Sequence, residues 1–126
     1  MIVTKRIYEP VDERDGYRVL IDRLWPRGVS KTAARLDEWA KAIAPSAELR
    51  QWYGHDPAKW DEFQRRYAEE LDNPESQAVL DALAKRARRG RVTLLYSTRE
   101  ATISNAEALA RMLEARAARA HTPAHR

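Results

Sequence analysis

The spacing of apolar positions changes several times along the chain, and each change marks an element. Residues 2–8 (IVTKRIY) are short and rich in β-branched side chains, the composition of a strand. A polar connection follows and closes on Asp15-Gly16, a turn signal. Residues 17–24 predict a second strand. Its run Val19-Leu20-Ile21 is continuously apolar, which is the pattern of a strand covered on both faces. Pro26 cannot donate to a ladder and holds Trp25 extended, so the strand stops about there. Residues 91–97 (RVTLLYS) repeat the buried-strand pattern.

Between the second and last strands the period becomes helical. Leu36, Trp39 and Ile43 predict a helix over 36–43, stopped by Pro45. Ser46 caps a short helix that Gly54 ends. Asp56-Pro57 and Asn73-Pro74 are cap-plus-proline starts. The helix after the first carries Trp60, Phe63, Tyr67 and Leu71 on one stripe, and the helix after the second carries Val79, Leu80, Leu83 and Ala87. Ser104 and Glu107 form a capping box, and the last helix buries Leu109, Met112, Leu113 and Ala117. The order β-β-α-α-α-α-β-α predicts an α/β chain: a single three-layer domain over residues 1–118, with a small, mainly parallel sheet flanked by helices. Residues 119–126, polar and with a proline, are expected to form a flexible tail.

Composition narrows the class. With 126 residues and 44% hydrophobic side chains, one core is affordable. The absence of cysteine removes disulfides, thiolate nucleophiles and thiolate metal sites. The first residues lack the apolar segment of a secretory signal, and no apolar run reaches the roughly 20 residues of a membrane span. A cytoplasmic protein without membrane contact is expected, and the Ala/Arg-heavy usage suits a bacterial, GC-rich genome. The formal charge of +4 favours anionic partners without requiring nucleic acid. Four scattered glycines cannot supply a phosphate loop or a dinucleotide fingerprint, and the histidines have no metal-site spacing, so neither cofactor nor metal is expected.

Candidate chemistry follows from the strand ends, where open parallel sheets bind ligands. The first strand delivers Arg6 and Tyr8. The second runs straight into Asp22, Arg23, Trp25 and Arg27, and the last into Ser97, Thr98, Arg99 and Glu100. If these converge, Arg6, Tyr8, Arg23, Trp25, Arg27 and Arg99 could hold an anion, since arginine forks suit phosphate and carboxylate. Asp22, Glu100 and His55 would handle protons. Arg23 and Arg27 are then expected to be partly buried and partnered, with His55 facing Arg23, Trp25 or Glu100 across a cleft. Each feature has a plainer reading. The arginines can form a structural ion-pair network, Trp25 can be packing, Ser97 and Thr98 can be turn residues, and His55 can cap a helix end. The run 85–91 (KRARRGR) reads as an exposed, solvated helix end.

Three segments, RVLIDRLWPRGVSK (18–31), IAPSAELRQWYGHDPAKWDEFQRRYAEEL (43–71) and VTLLYSTRE (92–100) with Asn105 after it, resemble the YeaO-like family, domain of unknown function 488, over about residues 2–118. The resemblance implies an α/β fold and a bacterial cytoplasmic setting, with no established activity. Arg6 and Tyr8 match its N-terminal signature. Asp22, Arg23, Trp25, Pro26, Arg27 and Gly28 match its central motif. Pro45, Ser46, Leu49, Arg50, Trp52, His55 and Pro57 match its second. Arg99-Glu100 stands where the family usually has a base followed by aspartate. Two functional readings remain open: an enzyme acting on a phosphate- or carboxylate-bearing small molecule or nucleotide, and a non-catalytic module binding an anion or nucleic acid. A purely structural motif is a third. The partner expected is an anionic small molecule, with nucleic acid less favoured.

Overall fold

A computed structural model describes residues 1–99 and 101–121. Four strands form one sheet: β1 (Ile2–Arg6), β2 (Tyr17–Leu20), β3 (Glu38–Trp39) and β4 (Val92–Tyr96). Their order is β1-β4-β2-β3 and every pairing is parallel, so β4 lies at the centre between β1 and β2. Five α-helices accompany it: α1 (Lys31–Ala34), α2 (Ala47–Tyr53), α3 (Trp60–Glu70), α4 (Pro74–Arg89) and α5 (Asn105–His121). The expected α/β fold is therefore present. The strand order places the carboxyl ends of β1, β4 and β2 along one rim.

Strand alternation divides the core in two. Val19, Val92, Leu94 and Tyr96 face one side, where α2 to α5 deliver Tyr53, Phe63, Tyr67, Leu80, Leu83, Leu109 and Leu113. Burying each large apolar side chain contributes roughly 1.5–3 kcal/mol. Leu20 and Leu95 face the other side with Ile7, Ala34, Trp25, Leu36 and Trp39, under a thinner cover of α1 and loops. That second side also holds a buried ionic group. Asp15 accepts from Arg18 at 2.5 Å and pairs with Lys5 at 3.0 Å, and the Arg18 guanidinium also donates to the Ala34 carbonyl. Burial alone would raise the Asp15 pKa. The Asp12 N–H, Lys5 and Arg18 outweigh it and hold the carboxyl below the ordinary aspartate range.

Sequence caps fix the helix ends. Ser46 accepts from the Leu49 N–H at 3.0 Å, Asn73 from Ser76 at 2.9 Å, and Ser104 from Glu107 at 3.1 Å. Gly54, left-handed at φ 54°, ends α2. The helix expected over 36–43 is absent. Glu38–Trp39 instead pair with β2, and Lys41–Ile43 form a 3-10 turn. The reason is that these apolar side chains serve different sides: Leu36 and Trp39 enter the second core and Ile43 the first, which a single helical stripe cannot do. At the other end, α5 runs to His121, past the expected boundary at 118. The rest of the expected tail, 122–126, lies outside the described residues.

Candidate functional site

A cleft of about 340 Å³ opens where β2 and β4 end, walled by α2 and by the start of α5. Its base is organised by Asp22, which is buried. One carboxylate oxygen accepts the Ser97 N–H at 2.9 Å and the other lies 3.3 Å from the Asn105 amide nitrogen. Asn105 also reaches the Ile21 carbonyl at 3.3 Å. Asp22 thus joins the exits of two strands to the start of a helix. This is why a core strand runs straight into an aspartate: where strands fan apart to form a cleft, their unpaired backbone groups need side-chain partners.

Arg6 performs the matching task for β4. Its guanidinium donates to the Thr98 carbonyl at 2.9 Å and the Ser97 carbonyl at 3.0 Å. Tyr8 donates to the Arg27 carbonyl at 2.9 Å. Trp25 donates from its indole to the Val29 carbonyl at 2.6 Å and packs edge-on against Trp39, with centroids 5.2 Å apart. None of Arg6, Tyr8 or Trp25 lines the cleft.

The expectation that Arg23 and Arg27 are partly buried and partnered is corrected. Both are exposed, and among the described residues neither guanidinium has a hydrogen-bond or ion-pair partner. The loop after β2 turns outward at Arg23 and Leu24, and Leu24 is 70% exposed. Because Tyr8 and the Trp25 indole already satisfy the loop's carbonyls, the guanidinium groups are not needed to close it. Arg23 borders a separate open groove with Lys41 and Glu70. Arg99 is exposed, and Glu100 lies outside the described residues.

His55 lies on the cleft wall, with its ring 5.5 Å from that of Tyr53. Its Nε2 is 2.9 Å from the Thr98 hydroxyl, and which of the two donates follows the tautomer. Thr98 is thus the described partner of the imidazole; of the three residues expected to face it, Glu100 lies outside the described residues. The His55 backbone is left-handed at φ 56°, directly after left-handed Gly54, a conformation that non-glycine residues adopt at a cost. Arg50 and Gln51 of α2 complete the mouth. Arg50 is exposed and, among the described residues, has no ion-pair partner. Behind the cleft, Tyr67 is fully buried and donates to the Ile43 carbonyl. Burial, then the charges of Asp22 and Glu70, push its phenol well above the ordinary value, so it stays a neutral donor. Among the described residues no three His, Asp or Glu side chains come together to hold a metal.

Of the residues singled out from the sequence, Asp22 and His55 meet in this cleft, with Ser97 and Thr98 beside them. Arg50, Gln51 and Asn105 were not assigned there. Arg50 and Asn105 stood within or beside family-like segments, but only the spatial pairing of β2 with β4 brings them to one cavity.

A parallel α/β domain with a strand-end cleft is the class these features define. The chain belongs to the family described as the inactive DUF488-N3 subclade, whose model matches residues 1–126. It is 46% identical over 111 residues to the uncharacterized protein Rv3073c of Mycobacterium tuberculosis, covering 88% of this chain and 92% of that one. It is 43% identical over 109 residues to the uncharacterized protein YeaO of Escherichia coli, covering 86% and 93%. No solved structure matches the chain. Among the described residues no helix is long and apolar enough to cross a membrane.

Proposed function

We propose that this chain is a cytoplasmic, non-catalytic module that holds a small anionic molecule in the strand-end cleft. The observation that carries this reading is the division of labour among its polar groups. Asp22, the carboxylate best placed for proton transfer, is bonded to the Ser97 N–H and to Asn105 and serves the rim. Arg50, without an ion-pair partner among the described residues, stands at the mouth with His55 and Thr98, a set of polar groups suited to a phosphate or carboxylate. A cavity of about 340 Å³ suits a metabolite-sized ligand. The family's description as an inactive subclade supports the same reading. One observation favours an enzyme instead: the His55–Thr98 pair has the distance of a base and a hydroxyl nucleophile.

The test is amide NMR during titration with inorganic phosphate and, separately, a nucleoside monophosphate. Saturable shifts are expected at His55, Thr98 and Asn105. Arg50→Gln should weaken binding about tenfold or more, the loss of one charge-assisted hydrogen bond at about 1.5–3 kcal/mol. Absence of saturable shifts, or shifts confined to residues 85–91, would sink the proposal. Turnover of a phosphate ester that disappears in Thr98→Ala would favour the enzyme.

A further inference from the structure

At the opposite end of the sheet, where β2 and β4 begin, a second concavity of about 680 Å³ is lined by Tyr17, Lys85, Arg86, Arg89 and Arg91. Four of its lining residues are cations and none is a carboxylate. Arg86 lies over the Tyr17 ring, 3.8 Å from its centroid, and the Tyr17 hydroxyl donates to Glu38 at 2.9 Å, so one wall of the groove is fixed.

These cations differ from the arginines of α3 and from Arg111 and Arg116 of α5. Arg65 and Arg66 pair with Glu62, Arg111 with Glu107, and Arg116 with Asp81. Among the described residues Lys85, Arg86, Arg88, Arg89 and Arg91 have no ion-pair partner. The sequence explains why. One turn before Arg86 and Arg88 stand Ala82 and Ala84, and one turn before Arg89 stands Lys85 itself. Asp81, one turn before Lys85, is taken by Arg116. Five cations within the seven residues 85–91, with no carboxylate among them, make this a locally dense positive segment. A favourable interaction with the α4 dipole accounts for cations in the last turn only. It does not account for Lys85 or for Arg91, which stands beyond the helix, or for their convergence on one groove.

We propose that this groove is a docking surface for the phosphate backbone of nucleic acid, independent of the strand-end cleft. Three features select that partner over other anionic surfaces. The groove is concave and mainly arginine, whose forks match phosphate oxygens. Beyond the aliphatic stems of its cations, its lining offers only the side chains of Tyr17 and Ala82 for apolar contact, with no cluster of large apolar residues to anchor a folded protein. Of the exposed large apolar residues, Tyr8, Val11 and Leu24 lie elsewhere; Met1 alone stands beside the groove, its ammonium on the Gly90 carbonyl at 3.0 Å, and a single thioether is far less than the apolar face that membrane docking needs. Contact through phosphates alone binds without sequence preference and with strong dependence on salt.

The experiment is fluorescence anisotropy of the full chain with a labelled, mixed-sequence single-stranded DNA of about 20 nucleotides, read at several salt concentrations. If the four groove cations each neutralise a phosphate, log affinity falls against log salt with a slope of about −3, roughly 60-fold between 50 and 200 mM. Arg86→Gln/Arg89→Gln/Arg91→Gln should weaken binding at least about tenfold and flatten the slope. Lys85→Gln/Arg89→Gln, which leaves the Arg86–Tyr17 contact in place, should lose an intermediate amount. Arg65→Gln/Arg66→Gln, which removes paired arginines, should stay within about twofold. No binding at about 50 mM salt, or an equal loss in the Arg65/Arg66 variant, would overturn the proposal. So would competition by poly-glutamate or anionic vesicles as effective, charge for charge, as that of unlabelled DNA.

Discussion

The two ends of the sheet are closed by different means. At the amino end the chain closes on itself through backbone: the Tyr17 N–H donates to the Arg91 carbonyl at 3.0 Å, and Gly16, at φ 67°, lies so close that a side chain there would collide with that same oxygen. At the carboxyl end side chains do the closing. Arg6 holds the Ser97 and Thr98 carbonyls, Asp22 holds the Ser97 N–H, and Asn105 reaches the Ile21 carbonyl. One residue type therefore has opposite fates. Backbone closure leaves Arg86, Arg89 and Arg91 at the amino end exposed and, among the described residues, without ion-pair partners, whereas at the rim Arg6 becomes structure. A motif dense in charge can be a scaffold, and a dull basic helix end can be the free surface.

The sharpest way to break this contrast is Gly16→Ala. Its φ and ψ of 67° and −129° suit only glycine, and the added carbon meets backbone that cannot swing away. Strain and overpacking together should cost about 4 kcal/mol in urea unfolding. A loss smaller than that of any rim substitution would invert the comparison.

Next in size is Asp15→Asn, which tests the buried ionic group beneath the amino end. The buried Arg18 would lose its carboxylate, at a cost of about 3 kcal/mol. The pH dependence has a definite sign. With its folded pKa below the unfolded value of about 3.9, Asp15 stabilises fully above that value, and the contribution is lost as pH falls through the lower folded one. Asp12 and Glu62, each held at about 2 mainly by hydrogen bonds from Arg14 and Arg65 respectively, belong to the same acid limb. Both remain in the variant. The wild type should therefore lose stability more steeply than Asp15→Asn below about pH 4. Parallel acid limbs would show that Asp15 is not a tie.

At the rim, Asp22→Ala should cost about 2 kcal/mol, because the Ser97 N–H and the Asn105 amide lose their acceptor. Arg6→Lys keeps the charge but gives up the fork across two carbonyls, and about 1 kcal/mol is expected. If both variants unfold like wild type while ligand binding collapses, the rim is functional machinery and not scaffold.

The sequence made the fold largely legible where local signals agreed. The caps at Ser46, Asn73 and Ser104 and the apolar runs of β2 and β4 mark elements by themselves. Residues 36–43 were misread because an i, i+3 apolar spacing does not say whether two side chains share a face. Glu38–Trp39 found an edge place beside β2 that no local pattern encodes. The site was half legible. The strand-end rule located Asp22, Ser97 and Thr98, since topology alone sends them to one rim. It could not show whether a polar group there is already bonded, and it overrated Arg23 and Arg27, which turn outward after the rim. Arg50 and Asn105 reach the cleft from helix starts and faces whose orientation depends on packing.

The smallest expected effect separates the two roles most finely. His55 holds a left-handed backbone that glycine adopts freely, and its exposed ring meets Thr98 across the cleft mouth. In His55→Gly the relief of that strain offsets both the added freedom of the unfolded chain and the loss of one exposed hydrogen bond, so stability should stay within about 0.5 kcal/mol of wild type. His55→Ala loses the same hydrogen bond but keeps the strain, so it should be the less stable of the two. Phosphate affinity should fall several-fold in both, because each removes the imidazole from the mouth. Urea melts of the three proteins beside phosphate titrations give the answer. If His55→Gly lost more than about 1.5 kcal/mol, well beyond one exposed hydrogen bond, the imidazole would be one more tie of the rim, like Arg6 and Asp22. The imidazole would then serve the rim rather than a ligand, and Arg50 would have to carry the binding.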